Sequence, residues 1–332
     1  MRLVVACVDQ IYVGKMYRNP SPPPGVESAE QITPVSTVTS ILLKLLQGIE
    51  NNTIDAGSQV MSDFVEDTPY ERTLCGAWDL ASVEEYAVAL MECKAHRVLL
   101  KIITTSARTR TRELAMGTLA NLSCHWDVGV GLTLIDDGDL VKVVGMLLLE
   151  EADSRTLVET SRFLKSTLTN LLDPLRTPNA HPHISDILTR QNLFQHYVFI
   201  ITNTLNPELL LESLRTLYWI LVYLYANALT FDVVLPEDAL FLIRWGTERL
   251  EEEGAGFGVG VNREVAKAIM DLLLAVFRSG CVKKEECGDL APSLASSVRH
   301  IMLHIQEDDD KQDEEIQRLA AALTDGLVVR NR

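Results

Sequence analysis

Proline is distributed along this chain in blocks, and that distribution limits the fold more than any other feature. Four prolines, Pro20, Pro22, Pro23 and Pro24, crowd one short segment. From Tyr70 to Asp173 there is none. Pro174, Pro178 and Pro182 then fall close together, and His183 to Asn206, Glu208 to Leu235 and Glu237 to Ala291 are again free of proline. Proline removes a backbone donor and clashes with the preceding turn, so helices avoid it in their interiors. Long proline-free stretches rich in Leu, Ala and Glu therefore read as helices, with Pro and Gly marking the connections.

Apolar spacing agrees. Ile41, Leu42, Leu45, Leu46 and Ile49 share one helical face, as do Leu140, Val143, Val144, Leu147 and Leu148. Leu209, Leu210, Leu214, Leu217 and Leu221 repeat the pattern, and so do Val265, Ile269, Leu272, Leu273 and Val276. This is the i, i+3, i+4, i+7 signature of amphipathic helix. No run of short alternating strands accompanies it, so the expected fold class is all-α.

A faint internal repeat refines this. Arg112-Glu113-Leu114-Ala115 is echoed by Arg263-Glu264-Val265-Ala266. Between them lie Glu159-Thr160-Ser161-Arg162 and Glu212-Ser213-Leu214-Arg215. The four glutamates are 46, 53 and 52 residues apart. That is slightly longer than the armadillo or HEAT period of about 40 to 47 residues. One such helical unit cannot bury its apolar face alone, so neighbours stack into a continuous core. The reading is an armadillo/HEAT-like α-solenoid over residues 35–328, preceded by a disordered tail over 1–34. A compact, non-repeating helical domain is the alternative.

Chemistry is constrained mostly by exclusion. The chain carries 46 acidic against 30 basic residues, a net charge of -16 over 332 residues. Such a balance disfavours direct nucleic-acid binding and suits a basic or polar partner segment. Its six cysteines lack the density of a secreted disulfide scaffold. The charge-free runs from Gln191 and from Thr216 fall short of the roughly 20 apolar residues that span a bilayer. No phosphate loop, dinucleotide fingerprint, nucleophile elbow or His-Glu-x-x-His helix occurs. Cys281, Cys287, His300 and His304 half match a zinc-finger spacing, with twelve residues from Cys287 to His300 and three between the histidines. The gap between the two cysteines is too long, and the segment between Cys287 and His300 lacks a finger's apolar core. No metal or cofactor is expected. Cys124 and His125 are adjacent, but neighbours on a helix diverge by about 100°, which argues against a nucleophile pair. Cys93 and Cys124 are expected to be buried. Arg97, Lys101, Arg108, Arg110 and Arg112 form the notable basic cluster and carry the alternative of an RNA-associated factor, acting directly or through a partner. Candidate partner contacts on the concave face are Glu113, Asn121, Arg162 and Arg215, all expected to be exposed.

Three segments together resemble the serum amyloid A-like protein family. They are Arg18-Asn19-Pro20-Ser21-Pro22-Pro23-Pro24; Cys75-Gly76-Ala77-Trp78-Asp79 leading to Arg112-Glu113 and Ala120-Asn121-Leu122-Ser123-Cys124; and Thr156-Leu157-Val158-Glu159-Thr160-Ser161-Arg162. The resemblance implies an armadillo-type fold, a nuclear location, a link to cell proliferation and no catalytic residue. It also implies Met16 as the natural start, since the Arg-Asn-Pro-Ser-Pro segment opens the chain in that family. The expected function is a non-catalytic protein-interaction scaffold.

Overall fold

The computed structural model describes residues 33–55, 66–134, 138–172, 182–255, 263–282, 284–288, 290–305 and 317–323. Helices account for the regular structure, and no strand occurs among the described residues. The described residues open with α1 (Pro34–Glu50) and α2 (Pro69–Ala81). Three-helix units follow: α3 (Glu84–Glu92), α4 (Ala95–Thr105) and α5 (Thr109–Cys124); then α6 (Trp126–Leu134), α7 (Asp139–Glu150) and α8 (Ser154–Leu171). The next are α9 (Pro182–Arg190), α10 (Leu193–Asn203) and α11 (Pro207–Ala226); then α12 (Thr230–Val233), α13 (Pro236–Ala255) and α14 (Arg263–Ser279). Short α15 (Lys284–Cys287) and α16 (Leu290–Ile305) close the set, with a further helical stretch at 317–323.

The prolines open helices. Pro34, Pro69, Pro182, Pro207 and Pro236 each occupy the first residue of one. There the missing N–H costs nothing, because the first turn has no intrahelical acceptor for it. Side chains immediately upstream complete several starts. Thr33 accepts from the Ser36 N–H, Asp153 from Thr156, and Asn206 from both Glu208 and Leu209. Thr68 and Glu71 form a reciprocal capping box on α2.

Packing follows the repeat. The third helices α2, α5, α8, α11 and α14 each pack on the next in line. The second helices α1, α4, α7, α10, α13 and α16 form a parallel row, and α3, α6, α9 and α12 form a third. The buried apolar residues make one continuous core along these rows. The period in the glutamates is thus the period of the third helices. Helix α11 is 20 residues long and, by length and composition alone, apolar enough to cross a membrane; this corrects the shorter run read from sequence. It lies between α8 and α14, and 61% of its apolar window is buried in the stack.

Two close approaches lock the amino-terminal helices together. A Cβ at Gly48 of α1 would lie 2.2 Å from the Tyr70 ring of α2. A Cβ at Gly117 of α5 would lie 2.3 Å from the Trp78 indole of α2. Each glycine is the hole into which the neighbouring ring fits.

Candidate interaction surface

The candidate site is a row of charged side chains on the third helices. It begins with three alternate arginines at the start of α5. Arg108 makes a two-pronged pair with Glu71, at 3.0 and 3.2 Å, and Thr111 donates to the same carboxylate. Arg110 clamps Asp67 at 3.0 and 3.3 Å and donates to Glu113 at 2.8 Å. Arg112 grips Glu151, after α7, at 2.9 and 3.2 Å and donates to the Ser106 carbonyl. The fork of a guanidinium matches a carboxylate in this way, fixing direction as well as distance.

The row continues across the repeats. On α8, Arg162 donates to Glu159 at 2.6 Å and reaches back to the Asn121 side-chain carbonyl on α5 at 3.1 Å. Asn121 in turn donates to the Trp78 carbonyl on α2. Lys165 reaches forward to Glu212 on α11. Glu212 also accepts from Arg215, which donates onward to Glu264 on α14 at 3.0 Å. Successive repeats are therefore tied by side chains on one face.

Burial sets the electrostatics. Burial pushes the Glu159 carboxyl up, against the pull of Arg162, and the Glu113 and Glu208 charges add to the rise. Burial acts on Glu212 as well, but Lys165 and Arg215 outweigh it and hold the carboxyl below its usual range. Asp67 is lowered chiefly by its bond to Arg110. Glu71 is lowered because Arg108 and Thr68 overcome its burial. A lowered carboxyl stabilises the fold above its unfolded value, about pH 4.3 for glutamate, and that contribution is lost as pH falls through the folded value. The gap in urea midpoint between the parent chain and Glu212→Gln is therefore expected to be wide at pH 7 and to narrow below pH ~4.3. A constant gap across that range would show that the Glu212 charge contributes nothing.

The predicted contact residues occupy this row, but not as free surface groups. Glu113 and Asn121 are buried, which corrects the expectation of exposure; Arg162 and Arg215 are partly exposed. The physical reason is that α5 is packed between α2 and α8, where Arg110 covers Glu113 and Asn121 bonds the Trp78 carbonyl and Arg162. The basic cluster is corrected too, since Arg108, Arg110 and Arg112 are each committed to carboxylates. Asp67, Glu71, Glu151 and Lys165 were not anticipated; the repeated Glu-x-x-Arg of Glu159–Arg162 and Glu212–Arg215 was the available signal.

Cysteine placement also differs from expectation. Cys93 is half-buried and Cys124 is exposed. Cys124 donates to the Ala120 carbonyl and lies 3.5 Å from the Ser166 hydroxyl, while His125 bonds the Ala81 carbonyl at 3.0 Å. The two bond different partners, and His125 stands in extended backbone just past the end of α5, so they are not helical neighbours. Burial, with a bond to Asp67, pushes the Cys75 thiol up to about 11. Cys281 and Cys287 are buried; the side chains of His300 and His304 lie outside the described residues. No group of three His, Cys, Asp or Glu placed to hold a metal occurs among the described residues. The segments Met1 to Gly25, 256–262 and Glu307 to Glu315 also lie outside them.

Stacked three-helix units with a continuous row of third helices define an all-α solenoid of armadillo type. Solved structures share this fold. An engineered protein superposes with a TM-score of 0.52 at 17% identity, covering 88% of this chain and 96% of that one. A designed armadillo repeat protein gives 0.51 at 12% identity, covering 87% and 99%. A second designed armadillo repeat protein, solved in complex with the peptide (KR)4, gives 0.50 at 12% identity, covering 87% and 99%. No known family profile matches the chain. Among curated proteins it is similar to Protein saal1 of Danio rerio, 29% identical over 208 residues, 59% of this chain and 41% of that protein. It is 28% identical to Protein SAAL1 of Mus musculus over 216 residues, 59% and 43% of the two. The chain is thus similar to SAAL1 proteins over 59% of its length. It spans less than half the length of these curated relatives.

Proposed function

We propose that this chain is a non-catalytic protein-interaction scaffold, located in the nucleus and linked to cell proliferation. The observation that carries the scaffold reading is the row of third helices tied repeat to repeat from Glu71 to Glu264. It holds one long face in a fixed geometry, and a preformed face lowers the ordering cost of binding an extended segment. A designed protein of this fold was solved with a bound peptide, which supports peptide binding as a use of such a face. The location and the link to proliferation rest on the family resemblance.

Binding to RNA through a partner suits the chain better than direct binding. Arg108, Arg110 and Arg112 face four carboxylates, Glu71, Asp67, Glu113 and Glu151, so the cluster presents no net positive charge to a phosphate backbone. Affinity purification of the tagged chain from its own cells, read by mass spectrometry, tests the proposal. A few stoichiometric protein partners are expected. Recovery dominated by RNA-binding proteins and abolished by nuclease would overturn it.

A further inference from the structure

The charged row has an order of burial that its composition does not suggest. In the Arg110–Glu113 pair the side chains are 33% and 12% exposed. For Arg162–Glu159 the values are 32% and 8%, and for Lys165–Glu212 24% and 11%. Arg215 is 39% exposed above the same Glu212. Along the middle of the row the carboxylate lies beneath and the cation lies above it. Long basic side chains bury their stems and keep their heads in water, whereas glutamate cannot reach so far. The order reverses at the carboxyl-terminal end, where Glu264 is more exposed than its partner Arg215.

On a chain of net charge -16, this stretch of the third-helix face therefore presents cations. Lys165 spends one of its three donors on Glu212. Lys267 on α14, paired with Asp271, is likewise partly exposed. Between these lysines in the stack lies α11, where half-buried Tyr218 and Trp219 meet edge to face with centroids 5.1 Å apart, one turn beyond Arg215. Aromatic rings beside cations offer apolar packing next to charge.

We infer that the third-helix face of α8, α11 and α14 docks an acidic peptide segment, through the outer cations Arg162, Lys165, Arg215 and Lys267, with Tyr218 and Trp219 packing against it. This rests on the scaffold reading and names the partner's chemistry. The local order of charge opposes the net balance, which by itself favours a basic partner. At physiological salt the screening length is about 8 Å, so the nearest charges decide the contact and the distant acidic surface does not.

The test uses the full chain and fluorescent (DE)4, with (KR)4 and a single-stranded RNA as comparison probes. Anisotropy is expected to show salt-sensitive binding of (DE)4. A carbodiimide, which joins a carboxylate to an amine at zero length, is expected to link the probe to Lys165 and Lys267. The Lys165→Gln/Lys267→Gln variant keeps Arg215 as the partner of Glu212, and it is expected to bind about tenfold more weakly or less. Lys44→Gln/Lys142→Gln is expected to bind as the parent does. Binding of (KR)4 in place of (DE)4, links confined to other lysines, no binding of (DE)4, or tighter binding of RNA at the same lysines would each overturn the inference. Cellular partners that stay bound to the Lys165→Gln/Lys267→Gln variant would sink it too, while leaving the scaffold reading intact.

Discussion

Glu71→Ala is expected to lower the unfolding free energy by about 3–5 kcal/mol, the range for removing one partner of a buried pair. Glu71 is fully buried, and its carboxylate accepts from the Thr68 N–H, from Arg108 twice over and from Thr111. Removing it leaves the Arg108 charge, 20% exposed, without its counter-ion and removes half of the α2 capping box. Urea unfolding measures the loss. A cycle with Glu71→Gln and Arg108→Gln separates the two contributions. The coupling is expected at about 1–3 kcal/mol, and additive single effects would show that the cap alone matters.

Gly117→Ala carries the second large effect, and its sign can be made to turn. In the parent chain the added methyl meets the Trp78 indole rim at 2.3 to 2.6 Å, well inside contact distance. The indole carbons are rigid, and the Trp78 carbonyl is also held by Asn121. Overpacking of this kind costs about 1–3 kcal/mol. In a Trp78→Leu background the contact is gone. The higher helix propensity of alanine then makes the same substitution neutral or stabilising, by up to about 1 kcal/mol. Thermal melts of the parent, the two single variants and the double variant read both signs. Destabilisation that persists in the Trp78→Leu background would exclude the ring as its cause.

Most of the fold could be read from the chain because helix periodicity and proline blocks are local signals. The heptad-like apolar sets each fall on one helix, and Glu113, Glu159, Glu212 and Glu264 mark four successive third helices. What escaped was depth. Glu113 and Asn121 carry polar side chains, and sequence reads such residues as exposed. Whether they face water depends on how closely the next third helix approaches, and that is a tertiary quantity. Arg108, Arg110 and Arg112 escaped for the same reason. Their partners Glu71, Asp67 and Glu151 are 37, 43 and 39 residues away in sequence. A cluster of three cations in sequence becomes a set of ion pairs with four carboxylates in space. Trp78 was visible as part of a motif, but its seat against Gly117 was not.

The row of paired side chains lies on one side of a stack in which each unit touches only its neighbours. A pull on the two ends of such an array would load its interfaces in series, and each would give way by itself. The pairs bridging α2 to α5, α5 to α8, α8 to α11 and α11 to α14 act as stitches along a single seam. Among the described residues these side-chain links between successive third helices lie on one face, so the array is expected to hinge more readily away from the seam than along it. Elasticity in this chain thus has a direction, and raising the salt, which loosens the stitches, would soften it.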